Sequence, residues 1–551
     1  MEKSLNKQLE VSFKENWNKP ALSDYKGVTL YYRDVARRIA KLHIVFEQCG
    51  LQKGDRVALC SKNQANWGVV FLATITYGAV AVPILHDFKP GNIHYVVNHS
   101  DPKILFVGNS VWEQLNEAEM PNIHAIIQLS DFSILYSRNP LINETRERLN
   151  EYFGKKYPRN FREDHLSFYN ESPEEVAVIS YTSGTTGFSK GVMLPFRSLW
   201  SNVMFAKEVH PHVNSTSNGV AMLPTAHMYG LLFDFLFEMC VGAHVHFLTR
   251  VPSPKIIMEA FAEIKPDVIV AVPLIIEKIY KKKLKPIINK TAIRIFLKLP
   301  VLDQKIQRKI LNELINTFGG KFKEVIIGGA AFNREAEAFF RKIGFPFTVG
   351  YGMSECAPII TYSPWDNTRL YSCGKVAPRM EIRIDSPDPL NTPGEIQCKG
   401  DNVMLGYFKN PASTEASFTR DGWLKTGDMG VMDQDGFLYI RGRSKSMILG
   451  PSGQNIYPEE IESIINNMPY VVESLVIDEE GSLIALVYPD LEQAESDGLH
   501  NIEERIRENI SLVNEELPNY CKIVNFRIFP EEFEKTPKRS IKRYLYQRTE
   551  L

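Results

Sequence analysis

Short, almost uninterrupted runs of apolar and β-branched residues recur along the first part of this sequence, spaced by intervals of helical length. KILFV (Lys103–Val107), VAVIS (Val176–Ser180), VIVAV (Val268–Val272) and EVIIG (Glu324–Gly328) are examples. Strands that do not alternate polar with apolar residues are buried on both faces, and strands alternating with helices predict βαβ units. The expected fold class is therefore α/β, with doubly wound sheets. One uncharged run, Asn63–Leu85, is long enough to cross a bilayer. However, Asn63, Gln64 and Asn66 are polar, Gly78 and Pro83 interrupt it, and GDRVAL (Gly54–Leu59) before it reads as a strand. A buried helix over Ala65–Tyr77 followed by a buried strand over Ala79–Val82 fits better.

Past residue 380 the texture changes. EIRI, GEIQCKG and DGFLYIRG are short strands with Gly and Asp turns, the pattern of a small β-rich subdomain. After Arg443 the chain returns to mixed α/β, and PEEIESIINN (Pro458–Asn467) starts as a helix does, with Pro at the first position and two Glu in the first turn. GRSKSMILGPSG (Gly442–Gly453) reads as a junction. We expect a large N-terminal domain (1–442) and a small α+β C-terminal domain (443–551).

Composition narrows the function classes. At 551 residues, with 44% apolar and 23% charged residues, the chain is of ordinary soluble globular type. Lys plus Arg (64) nearly equals Asp plus Glu (65), so no whole-protein field attracts nucleic acid, and no nucleic-acid partner is expected. The seven cysteines are odd in number, scattered and never in a C-x-x-C, which argues against a disulfide framework or a zinc site and for a reducing compartment. The N-terminus lacks the apolar core of a secretory signal. A cytoplasmic location is expected.

Directly after VAVIS comes YTSGTTGFSKGV (Tyr181–Val192). Ser183, Gly184, Thr185, Thr186 and Gly187 supply hydroxyls and unhindered backbone N–H groups, as a polyphosphate cradle requires, and Lys190 adds a point charge. Ser189 precedes the Lys, so this is not a Walker loop. On composition alone a solvated Ser/Thr/Gly loop fits as well. The segment closely resembles the signature of the adenylate-forming superfamily of acyl- and aryl-CoA synthetases, luciferases and adenylation domains, with Ser189 where Pro is usual. LPTAHMYG (Leu223–Gly230), GGAAF (Gly328–Phe332), VGYGMSECAP (Val349–Pro358), DGWLKTGDMG (Asp421–Gly430) and GRSKSMILGPSGQNIYPEEIE (Gly442–Glu462) match further motifs in the family's order.

The resemblance implies that a carboxylate attacks the α-phosphate of ATP, with Mg²⁺, to give an acyl-adenylate that a thiol then takes up. It places Glu355 on the metal, as suits a hard cation, and Ser354, in place of the usual Thr, on phosphate. Tyr351, within Gly350–Gly352, would stack on adenine against a wall of Gly329, Ala330 and Ala331. Asp428 would accept from the ribose hydroxyls, with Arg443 near ribose or phosphate. His227 would steer the carboxylate, although a lone histidine there otherwise reads as a hydrogen-bonded core residue. The apolar stretch Leu231–Phe237 reads either as the lining of an aliphatic tunnel or as helix core. Lys445 maps to the hinge about which the family's C-terminal domain rotates, and Gly453 to the glycine facing the pantetheine tunnel of coenzyme A.

Among subfamilies the long-chain fatty acid–CoA ligases fit best, from SGQNIYPEEIE, from VPLIIEKIY (Val272–Tyr280) and from a basic insertion over Lys278–Lys298. That insertion is interleaved with apolar residues. It suits peripheral contact with an anionic membrane, such as the inner membrane surface, and equally a solvated helix pair or a patch drawing CoA phosphates. The expected substrates are a fatty acid, ATP and coenzyme A; loading of a carrier-protein thiol and an aryl or medium-chain acid are alternatives. One departure raises a further alternative, an ATP-binding pseudo-enzyme. The family's C-terminal T-P-x-x-K-I-x-R becomes TPKRSIKR (Thr536–Arg543), with Ser540 where the adenylation lysine stands. Lys538 and Lys542 lie two residues to either side, on the same face of an extended strand, and Lys538 is the expected substitute.

Overall fold

The computed structural model describes residues 3–182, 189–250, 253–280, 300–450, 454–536 and 541–547. The alternating apolar runs build an eight-stranded mixed sheet. From edge to edge its strands are Gly406–Tyr407, Lys190–Pro195, Val176–Thr182, Val80–Ile84, Arg56–Cys60, Ile104–Val107, Ala125–Gln128 and Ile134–Ser137. The strands from Val176–Thr182 through Ala125–Gln128 are parallel neighbours, and the outer pairings are antiparallel. Val57, Ala58, Leu59 and Cys60 are fully buried, as a strand covered on both faces requires.

The uncharged run Asn63–Leu85 forms the helix Ala65–Tyr77 and the strand Val80–Ile84. Gly78 ends the helix in the left-handed conformation, at φ +87°, where a side chain is strained. The strand starts one residue later than its sequence suggests and runs on through Pro83, which lies opposite Leu59. Among the described residues no helix is long and apolar enough to cross a membrane.

A second, parallel sheet (Val268–Ala271, Glu324–Ile327, Phe347–Val349) and a four-stranded sheet containing Asn218–Ala221, His244–Phe247, Pro20–Asp24 and Thr29–Tyr31 complete the α/β part. The β-rich subdomain is an antiparallel sheet of Met380–Asp385, Gly394–Gly400, Leu424–Met432 and Leu438–Arg443. Beyond it Val471–Glu479, Ser482–Pro489 and Ile523–Ile528 form a three-stranded sheet, with the helices Pro458–Ile465 and Ile502–Glu516. The last part buries its own apolar clusters, one around Ile461, Val476 and Ile506 and one around Leu475, Leu486 and Phe533. The fold is thus α/β with a β-rich subdomain and a small α+β C-terminal unit.

Candidate active site

The strands Glu324–Ile327 and Phe347–Val349 run parallel, and each releases its chain into a motif at its carboxyl end, where ligands bind in open α/β sheets. Gly328–Ala331 leaves the first. Gly329 sits at φ +88°, and Gly329, Ala330 and Ala331 are exposed. Gly350–Gly352 leaves the second, with Gly350 N–H donating to Ile327 O at 2.9 Å. A Cβ at Gly352 would lie 2.1 Å from Pro358 O, so the strand pair formed with Ile359–Tyr362 admits only glycine there. These two short segments therefore lie side by side.

Tyr351 is buried, and its hydroxyl donates to Asp428 Oδ2 at 2.7 Å. The other oxygen, Oδ1, lies 2.8 Å from Arg443 Nε, and the two residues also face each other across the strands Leu424–Met432 and Leu438–Arg443. Burial pushes the Asp428 carboxyl above its ordinary range, against the opposing pull of Arg443 and the Tyr351 hydrogen bond, and the neighbouring Glu355 adds to the rise. Each carboxylate oxygen has two acceptor sites, so Asp428 keeps capacity for two further donors.

Ser354 and Glu355 occupy the one-turn helix Ser354–Cys356, and both are buried. Glu355 Oε1 accepts from the Tyr407 hydroxyl at 3.0 Å. Lys190 opens the strand Lys190–Pro195 opposite Thr182, and its Nζ lies 4.9 Å from the Tyr407 ring centre. His227 caps the helix that begins at Met228: its Nδ1 accepts from Tyr229 N–H at 3.4 Å, which in a neutral imidazole leaves the proton on Nε2. Lys445 is exposed in the turn after Arg443. Ser183, Gly184, Thr185, Thr186, Gly187, Gly453 and Lys538 lie outside the described residues, as does the basic insertion from 281 to 298; Lys278 sits in the helix Pro273–Ile279.

Sequence reasoning missed Tyr407. Nothing in VMLGYFKN marks it, and the lysine it touches is more than two hundred positions away. The apolar stretch Leu231–Phe237 is fully buried, and Phe233 packs against Phe205 and Tyr229, so helix core accounts for it.

The fit of Mg²⁺ to these residues follows from donor chemistry. Among the described residues no cluster of three or more His, Cys, Asp or Glu could cage a metal. Mg²⁺ is commonly held by one or two carboxylates together with substrate phosphates and water, and Glu355 supplies such an oxygen.

With buried acceptors, an exposed glycine-alanine wall and a lysine at the mouth of a strand hairpin, fold and site define a nucleotide-binding enzyme. The chain belongs to the AMP-binding enzyme family, whose pattern matches residues 9–408, and the AMP-binding enzyme C-terminal domain matches 445–549. It is 27% identical over 494 residues to the long-chain-fatty-acid–CoA ligase FadD15 of Mycobacterium bovis, covering 84% of this chain and 77% of that one. The anthranilate CoA ligase AuaEII, in complex with anthranoyl-AMP, has the same fold at a TM-score of 0.79 and 19% identity, over 98% of this chain and 96% of that one. O-succinylbenzoate CoA synthetase from Bacillus subtilis, in complex with ATP and magnesium ion, aligns at 0.74 and 21%, over 98% of each chain.

Proposed function

We propose that this protein activates a carboxylic acid with ATP and transfers the acyl group to coenzyme A, releasing AMP and pyrophosphate. The carrying observation is a pair of side-chain groups, Lys190–Tyr407–Glu355 and Tyr351–Asp428–Arg443, with Glu355 near enough to Asp428 to push its carboxyl up. In the first step a carboxylate oxygen forms a bond to the α-phosphorus while the bond to the bridging oxygen of pyrophosphate breaks. Asp428 holds the ribose, Tyr351 and the backbone of Gly329–Ala331 enclose the adenine, and Ser354 and the Ser183–Gly187 loop hold phosphate. Lys190 offsets phosphate charge, and His227, with its proton on Nε2, orients the incoming carboxylate. Mg²⁺, when bound at Glu355, supplies the charge that lets two anions approach. In the second step a thiolate attacks the acyl carbon and AMP departs.

We place a lid domain at 443–551, hinged at Lys445, with Gly453 facing the incoming thiol. For the acid we propose a long-chain fatty acid, on the motif wording and on relatives such as FadD15. An aryl acid is the second reading, on the fold likeness to an anthranilate CoA ligase. Peripheral contact of Lys278–Lys298 with anionic lipid belongs to the fatty-acid reading. Pyrophosphate release, measured with palmitate and with anthranilate, each with and without coenzyme A, tests these. Release only with palmitate and sustained by CoA supports the first reading, and release with anthranilate the second. A single turnover that CoA does not sustain points to a carrier-protein acceptor, and no release with either acid to an ATP-binding pseudo-enzyme.

A further inference from the structure

Tyr407 lies in a two-residue strand that pairs antiparallel with Lys190–Pro195, Gly406 opposite Met193 and Tyr407 opposite Val192. Leu405 N–H donates to Met193 O at 3.0 Å and Phe408 N–H to Gly191 O at 2.7 Å, while Met404 N–H donates to the backbone oxygen of Glu355 at 2.8 Å. The segment 404–408 is thus fastened on one side to the strand that opens with Lys190 and on the other to the turn that carries Glu355. Thr414 Oγ1 accepts from Tyr407 N–H at 2.9 Å and fixes the backbone between them.

The Tyr407 side chain repeats this bridge. Its hydroxyl donates to Glu355 Oε1 at 3.0 Å, and its ring stands 4.9 Å from the Lys190 ammonium, within cation–π range. A carboxylate bonded through one oxygen loses rotational freedom yet keeps its other oxygen as a metal ligand.

We propose that Tyr407 is a positioning residue for adenylation, its hydroxyl holding Glu355 for the metal while its ring holds Lys190 for the phosphates. This rests on the reading of Glu355 as the Mg²⁺ ligand. Two substitutions separate the two contacts. Tyr407→Phe keeps the ring and loses the hydroxyl, whereas Tyr407→Leu loses both. ATP binding by the full chain is followed calorimetrically over a Mg²⁺ titration, alongside ATP–pyrophosphate exchange. Tyr407→Phe is expected to raise the Mg²⁺ midpoint for ATP binding about tenfold, with exchange recovering near wild-type rates in excess Mg²⁺. Tyr407→Leu is expected to show the same shift and, in addition, ATP binding about threefold weaker at saturating Mg²⁺.

An unchanged midpoint in Tyr407→Phe overturns the proposal, as does a loss of exchange that excess Mg²⁺ does not restore, because that is what loosened packing alone would give. Glu355→Gln in the same titration distinguishes the two layers of argument. If it moves the midpoint and Tyr407→Phe does not, the role of Tyr407 fails alone. If neither moves it, the metal assignment of Glu355 falls and takes this one with it.

Discussion

Asp428 and Glu355 are both buried carboxylates, but their partners differ in kind. Asp428 faces a guanidinium and a phenol, whereas among the described residues Glu355 receives a phenol and no close cation. An acceptor so placed is available to a metal, and its charge is what the bound metal needs. Glu355→Gln is expected to lower ATP–pyrophosphate exchange on the order of 10²-fold or more, while near-normal exchange would remove Glu355 from the metal. The substitute for the missing C-terminal lysine also falls at this scale. Lys542 Nζ lies 2.7 Å from Glu534 Oε2 in an exposed ion pair, so reaching a phosphate would first require it to leave that carboxylate. Lys538→Ala should therefore cut exchange sharply and spare thioester formation from preformed acyl-adenylate, with Lys542→Ala close to wild type. If neither lysine matters and Ser540→Lys accelerates the first step, the site is degraded and Lys538 is no substitute. Most residues of the candidate site were legible in the sequence because each lies inside a contiguous motif. Tyr407 was not, since its contacts come from a strand pairing that no local pattern encodes.

At the scale of elements, the runs around Val57, Ile104, Val178 and Ile326 were legible because a strand covered on both faces must be apolar throughout. Order within the sheets was not legible, since a strand such as Gly406–Tyr407 joins the edge of a sheet built from residues far upstream. Nor was the charged end of the strand Glu324–Ile327. Glu324 is 3% exposed, accepts from Trp365 N–H at 2.6 Å and from the Tyr362 hydroxyl, and is pushed by burial up to about 7. Asp366 adds to that rise and Arg341 opposes it, while His210, 3.9 Å away, is held neutral by burial at about 3. The sign follows from proton counts. Between the ordinary carboxyl range and about pH 7 the folded chain keeps a proton at Glu324 that the unfolded chain has lost, so this group makes stability fall as pH rises through that window. Glu324→Gln removes the effect. Relative to wild type, the melting temperature of the variant should shift in its favour between about pH 5 and pH 8, on the order of a few degrees. A difference that stays flat with pH would show that Glu324 is ionised throughout.

For the whole molecule, the question is how one site serves phosphate chemistry and then thiol attack. The C-terminal unit has its own apolar clusters, and polar side chains join it to the rest of the chain. Glu460 lies 3.3 Å from Arg441 and 3.6 Å from Arg334, and Asn467 bonds Asn333. Contacts of this kind exchange with water at little net cost, so the unit is suited to changing its orientation. The chain between the two runs through the strand Leu438–Arg443, whose last residue is bonded to Asp428, and then the turn with Lys445. Ser444 N–H donates to Gly427 O, and Ser446 and Met447 N–H both donate to Arg443 O, whereas among the described residues none accepts from Lys445 N–H. A proline at 445 would therefore break no backbone hydrogen bond in this arrangement, but it would fix φ there. Lys445→Pro is expected to keep ATP–pyrophosphate exchange within about threefold of wild type and to reduce acyl-CoA formation from preformed adenylate on the order of 10²-fold. The measurement is the two half-reactions run separately on one preparation. Equal slowing of both would mean that the turn supports folding rather than rotation, and a normal second step would place the pivot at another residue of the junction.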